Sequence, residues 1–238
     1  VNYTVAALTV RGLLGRRRGL LLLAVPVLLL LLSVLIRASV GPDHDTAVNV
    51  LGKLALGTMV PLLGLIAGTG VIATEIDDGS IIYLLAKPLP RYRIVLTKLL
   101  VAIGASVVFA AVPTFLAGEI LYGNIEHIAL AYGVGALVAG IAYSALFLLF
   151  GVLTRHAVVV GLLYSLLWES VVGNFVPGAR TLSVQQWGLA VTRKVADAGA
   201  LTSDVHLPVA IPLLIVVVVG ATVFASVKLA GLTLAGEE

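Results

Sequence analysis

Six long apolar runs constrain this chain more than any other feature: Gly19–Ile36, Leu51–Ala73, Ile94–Leu116, Ile128–Leu153, Ala157–Val176 and Leu207–Leu229. A helix needs about 20 apolar residues to cross a bilayer. The runs are continuous, whereas a transmembrane barrel alternates apolar and polar residues in short segments. With 60% of its 238 residues hydrophobic and 11% charged, the chain has too little polar surface for a soluble fold, in which charged residues make up about 25%. Aromatics are only 6%, so the apolar character comes from Leu, Val, Ala and Ile, as suits lipid-facing helices. The expected fold class is all-α integral membrane with six transmembrane helices, in a single transmembrane domain over 1–238.

Sidedness follows from Lys and Arg. With the N-terminus inside, ten of the fifteen basic residues fall on inner segments: Arg11, Arg16, Arg17, Arg18, Lys87, Arg91, Arg93, Lys98, Arg155 and Lys228. Arg37, Lys53, Arg180, Arg193 and Lys194 fall outside. The positive-inside rule then places both termini in the cytoplasm, and Lys53 snorkels to an interface from near the end of its span. The Arg16–Arg18 run precedes an apolar stretch that is long for a signal core and lacks a small-residue cleavage site. Val1 fits a GTG start, which points to a bacterial inner membrane.

Two amphipathic helices flank the spans. In residues 1–18, Val5, Leu8 and Gly12 share a face at helical spacing, which predicts an interfacial N-terminal helix. In the outer loop, 177–207, Ser183 and Gln186 form a capping-box pattern. Val184, Trp187, Val191 and Val195 then align opposite Gln185, Arg193 and Lys194, and Gly199 supplies a stop. This predicts an outer amphipathic helix between spans 5 and 6, either lying on the leaflet or capping the bundle.

The polar segment 74–93, between spans 2 and 3, has a distinctive order. Glu75, Asp77 and Asp78 open a short helix, where acids favour the positive end of the macrodipole. Gly79-Ser80 and the apolar Ile81, Ile82, Tyr83, Leu84 and Leu85 follow, then Pro88 and Pro90 stop the helix. Arg91, Arg93 and Lys98 lead into the next span. An apolar patch with a polar rim in a cytoplasmic loop suits docking of another protein.

That order of acid, Gly-Ser, Leu-Leu, Pro, basic residue and Lys resembles the first cytoplasmic loop of permeases of the type-2 ABC exporter family. The chain departs from the family at Ile76-Asp77-Asp78, where a basic residue often follows the acid. The resemblance implies a coupling helix that docks on a separate ATPase, with Glu75, Asp77, Asp78, Gly79, Ser80, Tyr83, Leu84 and Leu85 as the coupling residues. It also implies two ATPase subunits, a second permease copy (a homodimer or a related permease), and export of a substrate across the cell membrane. The ATP and Mg would be bound by the partner. This chain has no G-x-x-x-x-G-K-[ST], so it is expected to bind no cofactor and to be a transport subunit rather than an enzyme. A path lined by Leu, Val and Ala suits lipids, drugs or amphipathic peptides.

Other signals are sparser. Glu169 lies within the fifth run, with Tyr164 and Trp168 nearby. An ionisable residue within a span marks a functional site by default, so these three are candidates for a substrate path. An interfacial Glu169 is the competing reading. Gly64 and Gly68 form G-x-x-x-G, and Ala131, Gly135, Ala136 and Gly140 continue small-residue spacing in the fourth run, permitting close helix approach within or between subunits. Pro26, Pro61, Pro113 and Pro212 would kink their spans. The four His are scattered, no metal site is expected, and the net charge of +3 reports topology rather than nucleic-acid binding. Two alternatives stand beside the exporter: an ATP-independent secondary transporter using Glu169, and a membrane scaffold or sensor.

Overall fold

The computed structural model describes residues 3–73, 75, 90–123, 125–172, 179–196, 201 and 203–231. Among them the chain is all-helical. In order come α1 (Tyr3–Leu13), α2 (Arg16–Val40), α3 (His44–Gly70), α4 (Arg91–Leu121), α5 (Ile125–Leu153), α6 (Ala157–Glu169), α7 (Val184–Val195) and α8 (Leu207–Ala230). Five of these, α2, α3, α4, α5 and α8, are long and apolar enough to cross a membrane. In the run expected to give another span, Ala157–Val176, the described residues form α6, apolar over Ala157–Glu169, and the chain winds as a π-helix from Tyr164 to Val172; residues 173–176 lie outside the described residues.

The centre of the bundle is α5. Its small residues Ala131, Gly135, Ala136, Ala139 and Gly140 are buried, and α3, α4, α7 and α8 pack around it. Gly64 and Gly68 of α3 face Tyr143 and Phe147 of α5. A methyl group at Gly68 would meet Phe147 Cβ at 2.8 Å and the Ser144 carbonyl at 2.9 Å. The glycine pair therefore serves helix packing inside one chain. Ser106 and Ser144 share a buried 2.8 Å hydrogen bond between α4 and α5, satisfying both hydroxyls away from water.

Two prolines follow π-helical turns. A proline lacks the N–H for the usual bond and its ring crowds the preceding turn. Val50–Met59 precedes Pro61, and Val60 N–H bonds the Ala55 carbonyl five residues back. Val107–Ala111 precedes Pro113, with Val112 N–H on Val107. The widened turn absorbs the proline without ending the helix. Pro26 and Pro212 lie inside α2 and α8.

α3 begins earlier than its apolar run. The Asp43 carboxylate accepts the Thr46 N–H at 2.8 Å and caps a polar first turn at His44. The turn carries the helix into the apolar run at Val50.

α2 buries only a stripe, Leu22, Leu29 and Ser33 together with Pro26, and exposes Leu21, Leu28, Leu31 and Leu35. Arginines at its two ends tie it down. Arg18 donates to the Gly70 carbonyl at 3.2 Å, and Arg37 donates to the Leu121 carbonyl at 3.0 Å. These are the last residues of α3 and α4, whose terminal carbonyls have no partner within their own helix, and cations suit that end of the dipole.

Two faces gain detail from the structure. α1 forms and buries Val5, Thr9 and Leu13 against the bundle, while Leu8 is 57% exposed and Gly12 has open space around it, leaving both on the outward side. The Thr9 hydroxyl is satisfied by the Val5 carbonyl at 2.8 Å, so a nominally polar residue can face the neighbouring helix. α7 caps the bundle rather than lying apart from it. It buries Val184, Trp187, Gly188, Ala190 and Thr192 against α5, with Val191 and Val195 half-buried. Gly188 crosses Gly135 and Ala139, which allows that close approach. The helix ends at Val195, before Gly199, which lies outside the described residues.

Candidate functional site

Two polar clusters sit in this apolar bundle. The first closes the base of the segment between α3 and α4. Lys98, in the second turn of α4, is 0% exposed. Its Nζ donates to the Val71 carbonyl at 2.6 Å and to Glu75 Oε1 at 2.7 Å. Val71 immediately follows α3 and caps its C-terminal end, where a cation is favoured. Glu75 is 29% exposed at its side chain, so the pair runs from the protein interior to the surface. A buried ammonium is costly unless it is both paired and hydrogen-bonded, and here it is both.

Only Glu75 among the expected coupling residues is described. Asp77, Asp78, Gly79, Ser80, Tyr83, Leu84 and Leu85 lie outside the described residues. The chain returns at Pro90, whose extended conformation precedes α4. Arg91 is half-buried in the first turn, while Arg93 is exposed, with its guanidinium 5.9 Å from the centre of the Tyr92 ring. Around this end Arg18 and Leu13 both approach Gly70, so α1, α2, α3 and α4 converge where the polar segment leaves the bundle. In the sequence Lys98 stands only as the residue opening the next span, and nothing there singles out Glu75, 23 positions away, as its partner.

The second cluster lies toward the other end of α3. Glu169 is 3% exposed. Its carboxylate accepts hydrogen bonds from the Ser183 hydroxyl, from Val184 N–H at 3.1 Å and from the Tyr164 hydroxyl at 3.3 Å. The Tyr143 hydroxyl faces the same carboxylate but stops short of a hydrogen bond. Ser183 is the N-cap of α7 and also accepts the Gln186 N–H at 3.3 Å, so the capping pattern read from the sequence is real. Glu169 adds a carboxylate to that cap, where the orphan N–H groups and the dipole favour negative charge.

Tyr164 and Trp168 reach this cluster by different routes. Tyr164 packs edge-on against Phe147 and Phe150 while its hydroxyl reaches Glu169. Trp168 is half-buried and donates from its indole N–H to the Leu182 carbonyl at 3.4 Å, away from the carboxylate. Trp187 donates to the Thr181 carbonyl at 2.7 Å. Gln185 donates to the Gly52 carbonyl of α3 at 3.3 Å. Together these bonds fasten the start of α7 to α6 and α3. Glu169 is enclosed by these partners rather than left in contact with water. The sequence held no direct sign that its partner would be the cap of the next helix.

Among the described residues no group of His, Asp and Glu is arranged to hold a metal. His44 lies 3.6 Å from Glu126 and edge-on to Tyr122 at the α3 and α5 ends. No family model matches the chain, and no curated protein does either.

Proposed function

We propose that the chain is the membrane-spanning subunit of an ATP-driven exporter, with segment 74–93 as the docking element for a separate ABC ATPase. The observation that carries this reading is the buried Lys98, which joins the end of α3, the start of the segment and α4 in one polar cluster. A load applied to the segment would reach both helices through that cluster instead of being lost in a slack loop. The ordered acid, Gly-Ser, Leu-Leu, Pro and Arg of the segment supplies the chemistry of the contact: apolar Leu84 and Leu85 to bury, and Asp77 and Asp78 to orient. ATP and Mg would be bound by the partner, in two copies beneath two permease copies, with both permease termini on the same cytoplasmic side. Leu84→Asp together with Leu85→Asp should release the ATPase while the permease keeps its melting temperature. Undiminished co-purification would remove the docking role.

A second reading has one observation in its favour. Glu169 is a carboxylate buried in an apolar bundle, and such groups often carry ions or protons. In that reading the protein is a secondary transporter independent of ATP. Among the described residues, the hydrogen bonds to Glu169 come from α6 and the start of α7, which favours a structural duty and leaves the ATP-driven reading ahead.

A further inference from the structure

A pocket of about 290 Å³ opens between the last turn of α7 and the start of α8, lined by Arg193, Lys194, Val205, His206 and Pro208, with Ala190 at its floor. Neither Arg193 nor Lys194 makes a hydrogen bond or ion pair among the described residues, and both are exposed. They end an amphipathic helix whose apolar side is buried in the bundle. The acid described beside the pocket, Asp204, is already engaged: Arg180 holds it at 2.7 Å. That ion pair offsets the Asp204 charge beside Arg193 and Lys194. The N–H groups at the start of α8, a 24-residue helix crossing the apolar layer, add partial positive charge at the same place. The rest of the wall is Ala190, Val205, Leu207 and Pro208, together with the His206 imidazole. The site is cationic on one side, greasy on the other, and located where a membrane-crossing helix begins.

We propose that this pocket binds the phosphate group of an anionic phospholipid at the membrane surface opposite the Glu75–Lys98 cluster. Arg193 and Lys194 contact the phosphate, and Val205, Leu207 and Pro208 lie against the glycerol and upper chain. Each of the two cations seated against the phosphate is expected to contribute about fivefold to the preference for anionic lipid.

The test is native mass spectrometry of the protein released from nanodiscs holding equal phosphatidylglycerol and phosphatidylcholine. Wild type should retain phosphatidylglycerol in preference, and Arg193→Gln and Lys194→Gln should each lower that preference about fivefold. Arg155→Gln, an exposed cation at the other end of α5, should leave it unchanged. Equal retention of the two lipids by wild type would overturn the proposal, as would a loss in Arg155→Gln equal to that in the pocket variants. In discs of phosphatidylcholine alone, titrated inorganic phosphate should not bind. Saturable phosphate binding abolished by the same two substitutions would assign the pocket to a free anion and overturn the lipid assignment. Both side chains point to solvent, so melting curves of the variants should match wild type.

Discussion

Lys98 and Glu169 are both charged residues placed where charge is expensive, and each is answered by a different device. Lys98 finds a helix-end carbonyl and a partner acid, whereas Glu169 finds a helix start and two hydroxyls. The two clusters are separated by most of α3, since Gln185 touches Gly52 near one end and Lys98 touches Val71 just past the other. Nineteen residues of helix span about 28 Å. Replacing Lys98 by Gln removes the cation that Glu75 Oε1 meets in a mostly buried setting. The expected loss is about 3 kcal/mol, at the low end for a broken buried pair because Glu75 is partly exposed. It should appear as a lower melting temperature and faster proteolysis of 74–93; unchanged melting would show that the pair contributes no rigidity. At Glu169, Gln keeps an acceptor for Val184 N–H but loses the charge. A loss of about 1–2 kcal/mol is expected, and it should be non-additive with Ser183→Ala, because both remove the same bond. A folded Glu169→Gln protein that lost only proton-driven transport would instead favour the secondary transporter.

At the scale of elements, apolar run length and small-residue spacing carried most of the fold. The runs anticipated five long helices to within a few residues, except that α3 starts at His44 because Asp43 caps a polar turn which hydropathy cannot register. The G-x-x-x-G of Gly64 and Gly68 was legible as a packing face, but not its partner, since spacing on one helix says nothing of which helix lies opposite. Gly68→Val should destabilise the bundle by about 2 kcal/mol by overpacking against the α5 backbone, read as a drop in melting temperature in detergent. A neutral result would mean that α3 and α5 can separate freely. The bundle-facing side of α1 includes Thr9, which hydropathy alone does not mark because its hydroxyl turns back to its own helix. For α7, the cap at Ser183 and a place capping the bundle were readable, but not that α5 is the partner: Gly188 offers no apolar signal, yet it permits the crossing.

For the whole molecule, the charge pattern and the bundle agree on which residues share an end. Lys98, Arg18, Arg91 and Arg155 lie at the end where α3 finishes, and α7 lies at the other. Of the candidate coupling site only Glu75 and its Lys98 anchor are described, so the docking surface rests on the order of residues from Asp77 to Leu85. The chain contains no cysteine, so single cysteines report without background. Ser183 is buried against Glu169, which makes the half-exposed Leu182 the better outer probe. Cysteines at Arg155 and Leu182 should label from opposite sides of the membrane, with Arg155 on the cytoplasmic side. Labelling of both from one side would overturn the proposed topology. The central claim is that this bundle is driven by a separate ATPase. It is tested most directly by co-purifying the protein with the ABC ATPase encoded beside it and measuring vanadate-sensitive ATP hydrolysis in lipid nanodiscs. The account predicts a stable complex with activity that disappears when Leu84 and Leu85 are replaced by Asp; failure of every candidate ATPase to bind the wild-type protein would contradict it.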